Sequence, residues 1–63
     1  MKSNYEKIIK TINQEIEKVN TSCDFGYVNG LIDMAYYITE LITKDDKVML
    51  KEKLRKKYTK EEN

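Results

Sequence analysis

Few side chains in this 63-residue chain could carry chemistry. There is no histidine, and Cys23 is the sole cysteine. Neither a disulfide within the chain nor a Cys/His zinc site can be assembled from that inventory. The Glu-x-x-His pairs of di-iron helix bundles are missing for the same reason. Asp45-Asp46 lacks the remaining ligands of a calcium loop, and Gly26 with Gly30 satisfies no phosphate-binding loop. Cys23 is a nucleophile only with a base beside it, and its place at the end of an apolar seam suits a small core residue better. The expectation is a chain that is not an enzyme and uses no cofactor and no metal.

Binding chemistry is better represented. Asn29, Asp33, Tyr36, Tyr37 and Glu40 form a polar and aromatic stripe at helical spacing. Phenols and carboxylates together can hydrogen-bond a polar ligand or a partner's arginine, and adjacent tyrosines are expensive to leave in water. The competing reading is an ordinary solvated helix face. Gly26 and Gly30, four residues apart, let another backbone approach closely, and with Tyr27 and Met34 they form the expected self-association surface. Further along, Lys51, Lys53, Arg55, Lys56, Lys57 and Lys60 make a basic segment, in which Lys51, Arg55 and Lys56 are the candidate phosphate contacts. Glu52, Glu61 and Glu62 interrupt it, and cations near a helix C-terminus are sufficiently explained by the helix dipole.

Three helices must position these groups. Tyr5, Ile9, Ile12, Ile16, Val19 and Cys23 recur at spacings 4-3-4-3-4, a single apolar seam with Ile8 widening it, which predicts a helix over residues 4–20. Ser3 or Asn4 is its expected cap. The run Asn20-Thr21-Ser22-Cys23-Asp24 competes with the backbone for hydrogen bonds and predicts a reversal followed by a new cap. A second helix over 25–42 places Val28, Leu31, Ala35, Ile38 and Ile42 at 3-4-3-4, with Tyr27, Met34 and Leu41 in another row and Phe25 and Ile32 on a further side. Being apolar around most of its circumference, it is the element that others must cover. Thr43 then caps a third helix over 45–58, with Leu50, Leu54 and Tyr58 as its stripe and Val48 and Met49 turned away. Residues 59–63 are expected to fray.

The predicted fold is all-α: one helical domain over 1–63, an antiparallel hairpin with a shorter third helix folded back on it. A core this small rarely supplies more than about 3–5 kcal/mol. With disulfide and metal excluded, oligomerisation, most simply a dimer, is the expected completion. The charge balance of 12 basic against 11 acidic residues predicts no strong pull toward nucleic acid or membrane. Its distribution is uneven, since residues 24–43 hold three acids and no base while residues 44–63 hold eight bases and five acids. The longest apolar run, Met34-Ala35-Tyr36-Tyr37-Ile38, is far below the roughly 20 residues of a membrane span. No signal-type apolar block follows Met1, and with a lone thiol the expected compartment is the cytosol.

From Asp24-Phe25-Gly26-Tyr27-Val28-Asn29-Gly30-Leu31-Ile32-Asp33-Met34-Ala35-Tyr36-Tyr37-Ile38 through Leu41-Ile42-Thr43-Lys44-Asp45-Asp46 to Lys53-Leu54-Arg55-Lys56-Lys57-Tyr58, the chain resembles short helical accessory proteins of phages and mobile elements of Gram-positive bacteria. The resemblance covers about half the chain, within residues 24–58. It implies a protein that acts by binding, as anti-CRISPR and other anti-defence proteins do, on a macromolecule in the cytoplasm of a bacterial host. It transfers no functional residues. The residues themselves leave two other expectations open. One is an oligomeric protein that sequesters a small nucleotide beside Gly30 and Asn29, and the other is a DNA-associated regulator using the basic third helix.

Overall fold

The computed structural model describes residues 4–62, with side chains through Thr59. Three helices account for the architecture: α1 (Asn4–Glu17), α2 (Ser22–Asp33), which runs on into a π turn over Met34–Ile38, and α3 (Lys44–Glu62). There is no strand among the described residues. The expected cap Ser3 lies outside them.

Ile12 and Ile16 are buried on α1, as its seam requires. The helix ends at Glu17 rather than at residue 20, because Lys18 and Val19 bond back three residues, to the carbonyls of Glu15 and Ile16 at 3.1 Å. That tightened turn swings Val19 fully inside. Val19 therefore closes the seam, and Cys23, expected in the core, stands exposed on the first turn of α2.

Thr21 caps α2 reciprocally. Its Oγ1 accepts from Asp24 N at 3.1 Å, while Asp24 Oδ2 accepts from Thr21 N at 3.1 Å and from Asn20 N at 3.0 Å. Three of the donors around a helix start are thereby satisfied.

On α2 the inward row is Phe25, Val28, Ile32 and Ala35, with Val28, Ile32 and Ala35 buried. This corrects the row expected from spacing: Leu31 is only half-buried and Ile38 is 76% exposed. Both rows contain 3-4 spacings, so a helix apolar on all sides does not reveal which one α1 and α3 will cover.

The helix also stops four residues earlier than expected. Thr39 N bonds Met34 O at 3.1 Å, and Leu41 N bonds Ala35 O at 2.8 Å, which closes the helix in a widened turn. Glu40 then takes a left-handed conformation, φ 53°, and reverses the chain. Ile42, freed from the helix, tucks into the core.

Thr43 and Asp46 form the second reciprocal cap. Asp46 N donates to Thr43 Oγ1 at 3.1 Å, and Asp46 Oδ2 accepts from the Thr43 hydroxyl at 2.9 Å and from Thr43 N at 3.3 Å. Leu50 and Leu54 are fully buried, Tyr58 packs at the edge against Phe25 with ring centroids 5.2 Å apart, and the helical backbone continues through Glu62 instead of ending at 58. Contacts between α2 and α3 run in descending register: Phe25 meets Tyr58, Asp33 meets Lys51, and Tyr37 meets Lys47. Those between α1 and α3 ascend, from Tyr5 on Asp46 to Asn13 on Lys53.

Candidate functional site

The π turn at the end of α2 presents Tyr36 and Tyr37 side by side, edge to face, with ring centroids 4.6 Å apart. Lys47 of α3 lies against both rings, its Nζ 4.7 Å from each centroid, and donates a hydrogen bond to Tyr37 Oη at 2.7 Å. The bond to the phenol, with the charge of the neighbouring rings and of Asp33, holds the Lys47 ammonium above the usual lysine range. The ammonium is thus within cation–π reach of both rings.

One turn back, Asp33 is half-buried and Lys51 Nζ sits 2.5 Å from its Oδ1. That oxygen is withdrawn from water, so the ion pair supplies its partner. Lys47 and Lys51 are four apart on α3, as Asp33 and Tyr37 are on α2, so two turns of one helix meet two turns of the other.

The polar stripe thus divides. Asn29, Asp33 and Tyr36 are half-buried, with Asp33 committed to α3 and Tyr36 packed against the core, while Tyr37 is 64% exposed and Glu40 is exposed at the chain reversal. Tyr36, Tyr37, Glu40 and Ile42 line an open cleft of about 410 Å³ there. Sequence reasoning missed Lys47 altogether, and it read Lys51 as a phosphate contact rather than as the partner of Asp33. The signal that could have found them is the matching four-residue spacing of cations on α3 and of carboxylate and phenol on α2.

The expected self-association residues lie on a different side. Gly26 and Gly30 are exposed, with open space where a Cβ would stand, so no element of this chain crosses them closely. Tyr27 and Met34, on the same helix face, are 61% and 45% exposed. Between this face and α1 runs a wholly apolar cleft of about 180 Å³, lined by Ile8, Leu31, Met34 and Leu41 among others.

Of the candidate phosphate contacts, Lys51 is engaged by Asp33, whereas Arg55 and Lys56 are exposed. A second apolar area, Tyr5, Val48 and Met49, spans α1 and α3. It is broken up by Glu6, Lys10, Asp45, Glu52 and Lys53. Across it the Tyr5 hydroxyl donates to Asp46 Oδ2 at 2.6 Å, and Lys53 Nζ donates to Asn13 Oδ1 at 3.2 Å. The Tyr5 bond lowers the Asp46 carboxyl, aided by Thr43, and raises the Tyr5 phenol.

Among the described residues no group of three His, Cys, Asp or Glu converges to hold a metal, and no helix is long and apolar enough to cross a membrane. No protein-family model, curated protein or solved structure matches this chain.

Proposed function

We propose that the protein works by binding rather than by catalysis, as an inhibitor or regulator that occupies the surface of a larger protein in the bacterial cytoplasm, of the anti-defence kind that phages and mobile elements encode. In this reading α1 and α2 form an antiparallel pair, and the contact patch is the corner made by Tyr37 and Glu40, with Tyr36, Asp33 and Asn29 behind it. The observation that carries the reading is the aromatic pair clamped by Lys47. An exposed tyrosine normally loses side-chain freedom on binding; the contacts of Tyr37 with Lys47 and the Tyr36 ring restrain it beforehand, which lowers the cost of making it an anchor. Glu40 adds to the case. A non-glycine residue in the left-handed region costs about 1–2 kcal/mol, and such strain clusters where function needs a side chain.

A double substitution at the exposed corner tests this. Asp33 is unsuitable, because a lysine there would face Lys51 and disturb the helix pair. Tyr37→Ala with Glu40→Lys should reduce capture of the host target at least tenfold while the helical circular dichroism is unchanged. Lys56→Glu with Lys57→Glu should leave capture within about twofold. If the helix-three pair removes binding instead, and wild-type binding falls steeply with salt, the target is a nucleic acid and the reading is wrong.

A further inference from the structure

The outward row of α2 is self-complementary. It comprises Cys23, Tyr27, Gly30, Met34 and Ile38, all exposed, and none of them carries a charge. The π turn inserts an extra residue into the helical repeat, which keeps Ile38 in line below Met34 instead of letting it drift around the helix. Position by position, the row is symmetric about the midpoint between Gly30 and Leu31. Tyr27 and Met34 stand equally far from that point, as do Cys23 and Ile38.

We infer that a second copy of this chain covers this face, with the two α2 helices crossing antiparallel at Gly30–Leu31 about a two-fold axis. Tyr27 of each copy lies over Met34 of the other at the mouth of the apolar cleft that Ile8, Leu31 and Leu41 line, and Cys23 of each lies beside the other's Ile38. A two-fold contact requires that if residue i meets j then j meets i, and this spacing satisfies that for each pair without setting like charges against one another. Gly30 supplies the close approach, since open space lies where its Cβ would be.

The exposed apolar side chains supply a core for such a contact. Tyr27, Met34, Ile38 and Leu41 are 61%, 45%, 76% and 40% exposed. Together they offer on the order of 400 Å² of apolar surface, in the range of the largest patch on a typical monomer, a patch that is often functional. The glycine backbones, Cys23, the cleft walls and a polar rim add toward the roughly 800 Å² per partner of a standard interface. The Tyr5, Val48 and Met49 area is a poorer candidate, because the charges among its residues would face their own copies.

Cys23 makes the register testable in the full chain. Within one copy it is fifteen residues from Ile38, about 20 Å along the helix, too far for a disulfide. Its own symmetry mate lies similarly far away. Ile38→Cys is therefore expected to give, on mild oxidation at tens of micromolar, a disulfide-linked dimer in which both thiols of each chain are consumed. The wild-type chain and Val48→Cys should remain uncrosslinked under the same treatment. Light scattering of the unmodified chain should give twice 7.5 kDa, and Gly30→Leu should return it to the single mass with its helical content intact. A single-chain mass for the wild type, or failure of Ile38→Cys to crosslink faster than Val48→Cys while folded, overturns the inference. Ready oxidation of the wild type to a Cys23–Cys23 dimer overturns it too.

Discussion

Tyr5 and Asp46 show how one short contact can tie α1 to the start of α3. The phenol donates to a carboxylate that is already the capping group of α3, so Asp46 Oδ2 serves three donors at once. The bond exists only while Tyr5 is protonated and Asp46 is ionised, and its pH window follows from the two shifts. Asp46 titrates below its ordinary range, chiefly because of the Tyr5 hydroxyl. Its contribution to stability is present above that range and is lost as pH falls through the lowered value. Tyr5 titrates above its ordinary range, so its contribution is present below about pH 10 and is lost as pH rises through the raised value. Tyr5→Phe should accordingly flatten the decline of stability on both flanks, acid and alkaline, with little change in slope near neutrality. Urea denaturation across pH measures it. Tyr5 is exposed and Asp46 only half-buried, which keeps the effect modest.

α2 and α3 start on sharp caps, whereas α1 and α2 end in irregular turns, and the difference lies in the chemistry of those ends. Thr21-x-x-Asp24 and Thr43-x-x-Asp46 each place a hydroxyl and a carboxylate where they satisfy orphan backbone donors reciprocally. Thr43→Ala should cost about 1 kcal/mol, with a range of roughly 0.5–2, read as a lower urea midpoint at unchanged slope. The Thr43 restart and the reversal after residue 20 were legible because the capping signal is local. The α1 seam was legible too, since its apolar residues occupy one side only. The end of α2 was not. Neither Gly nor Pro marks it, and the stop arises from carbonyls at Met34 and Ala35 that accept from residues five and six positions on. The buried face of α2 was equally hidden, because both possible rows are apolar and only the covering helices choose between them. At the candidate site the tyrosines and Asp33 stood out as unusual residues, whereas Lys47 did not and Lys51 stood out only as a phosphate contact. Lys47 is ten residues from Tyr37, and Lys51 is further still from Asp33 in sequence. Such pairings belong to the packed molecule.

At the scale of the whole molecule, part of the uneven charge of the sequence is met internally: Asp33 pairs with Lys51, and Lys47 lies on the two tyrosines. The uncharged outer row of α2 meets no other element of the chain. Among the described residues nine hydrophobics form the buried core, and a core of that size stabilises a single chain by only a few kcal/mol. If two copies share the α2 face, folding and association are coupled, and mass action makes the apparent stability depend on protein concentration. The thermal midpoint of the wild type should then rise by several degrees between about 1 and 100 µM, since each tenfold change in concentration shifts the balance by about 1.4 kcal/mol. Gly30→Leu separates this from ordinary stabilisation. A leucine at that position enters open space in the single chain and removes the helix penalty of glycine, roughly 1 kcal/mol, so it should not weaken the fold itself. Its midpoint should nonetheless be the same at every concentration, and below the wild type at the highest one. A wild-type midpoint that does not move over that hundredfold range would mean that the chain is stable alone and that its apolar face is kept for another protein.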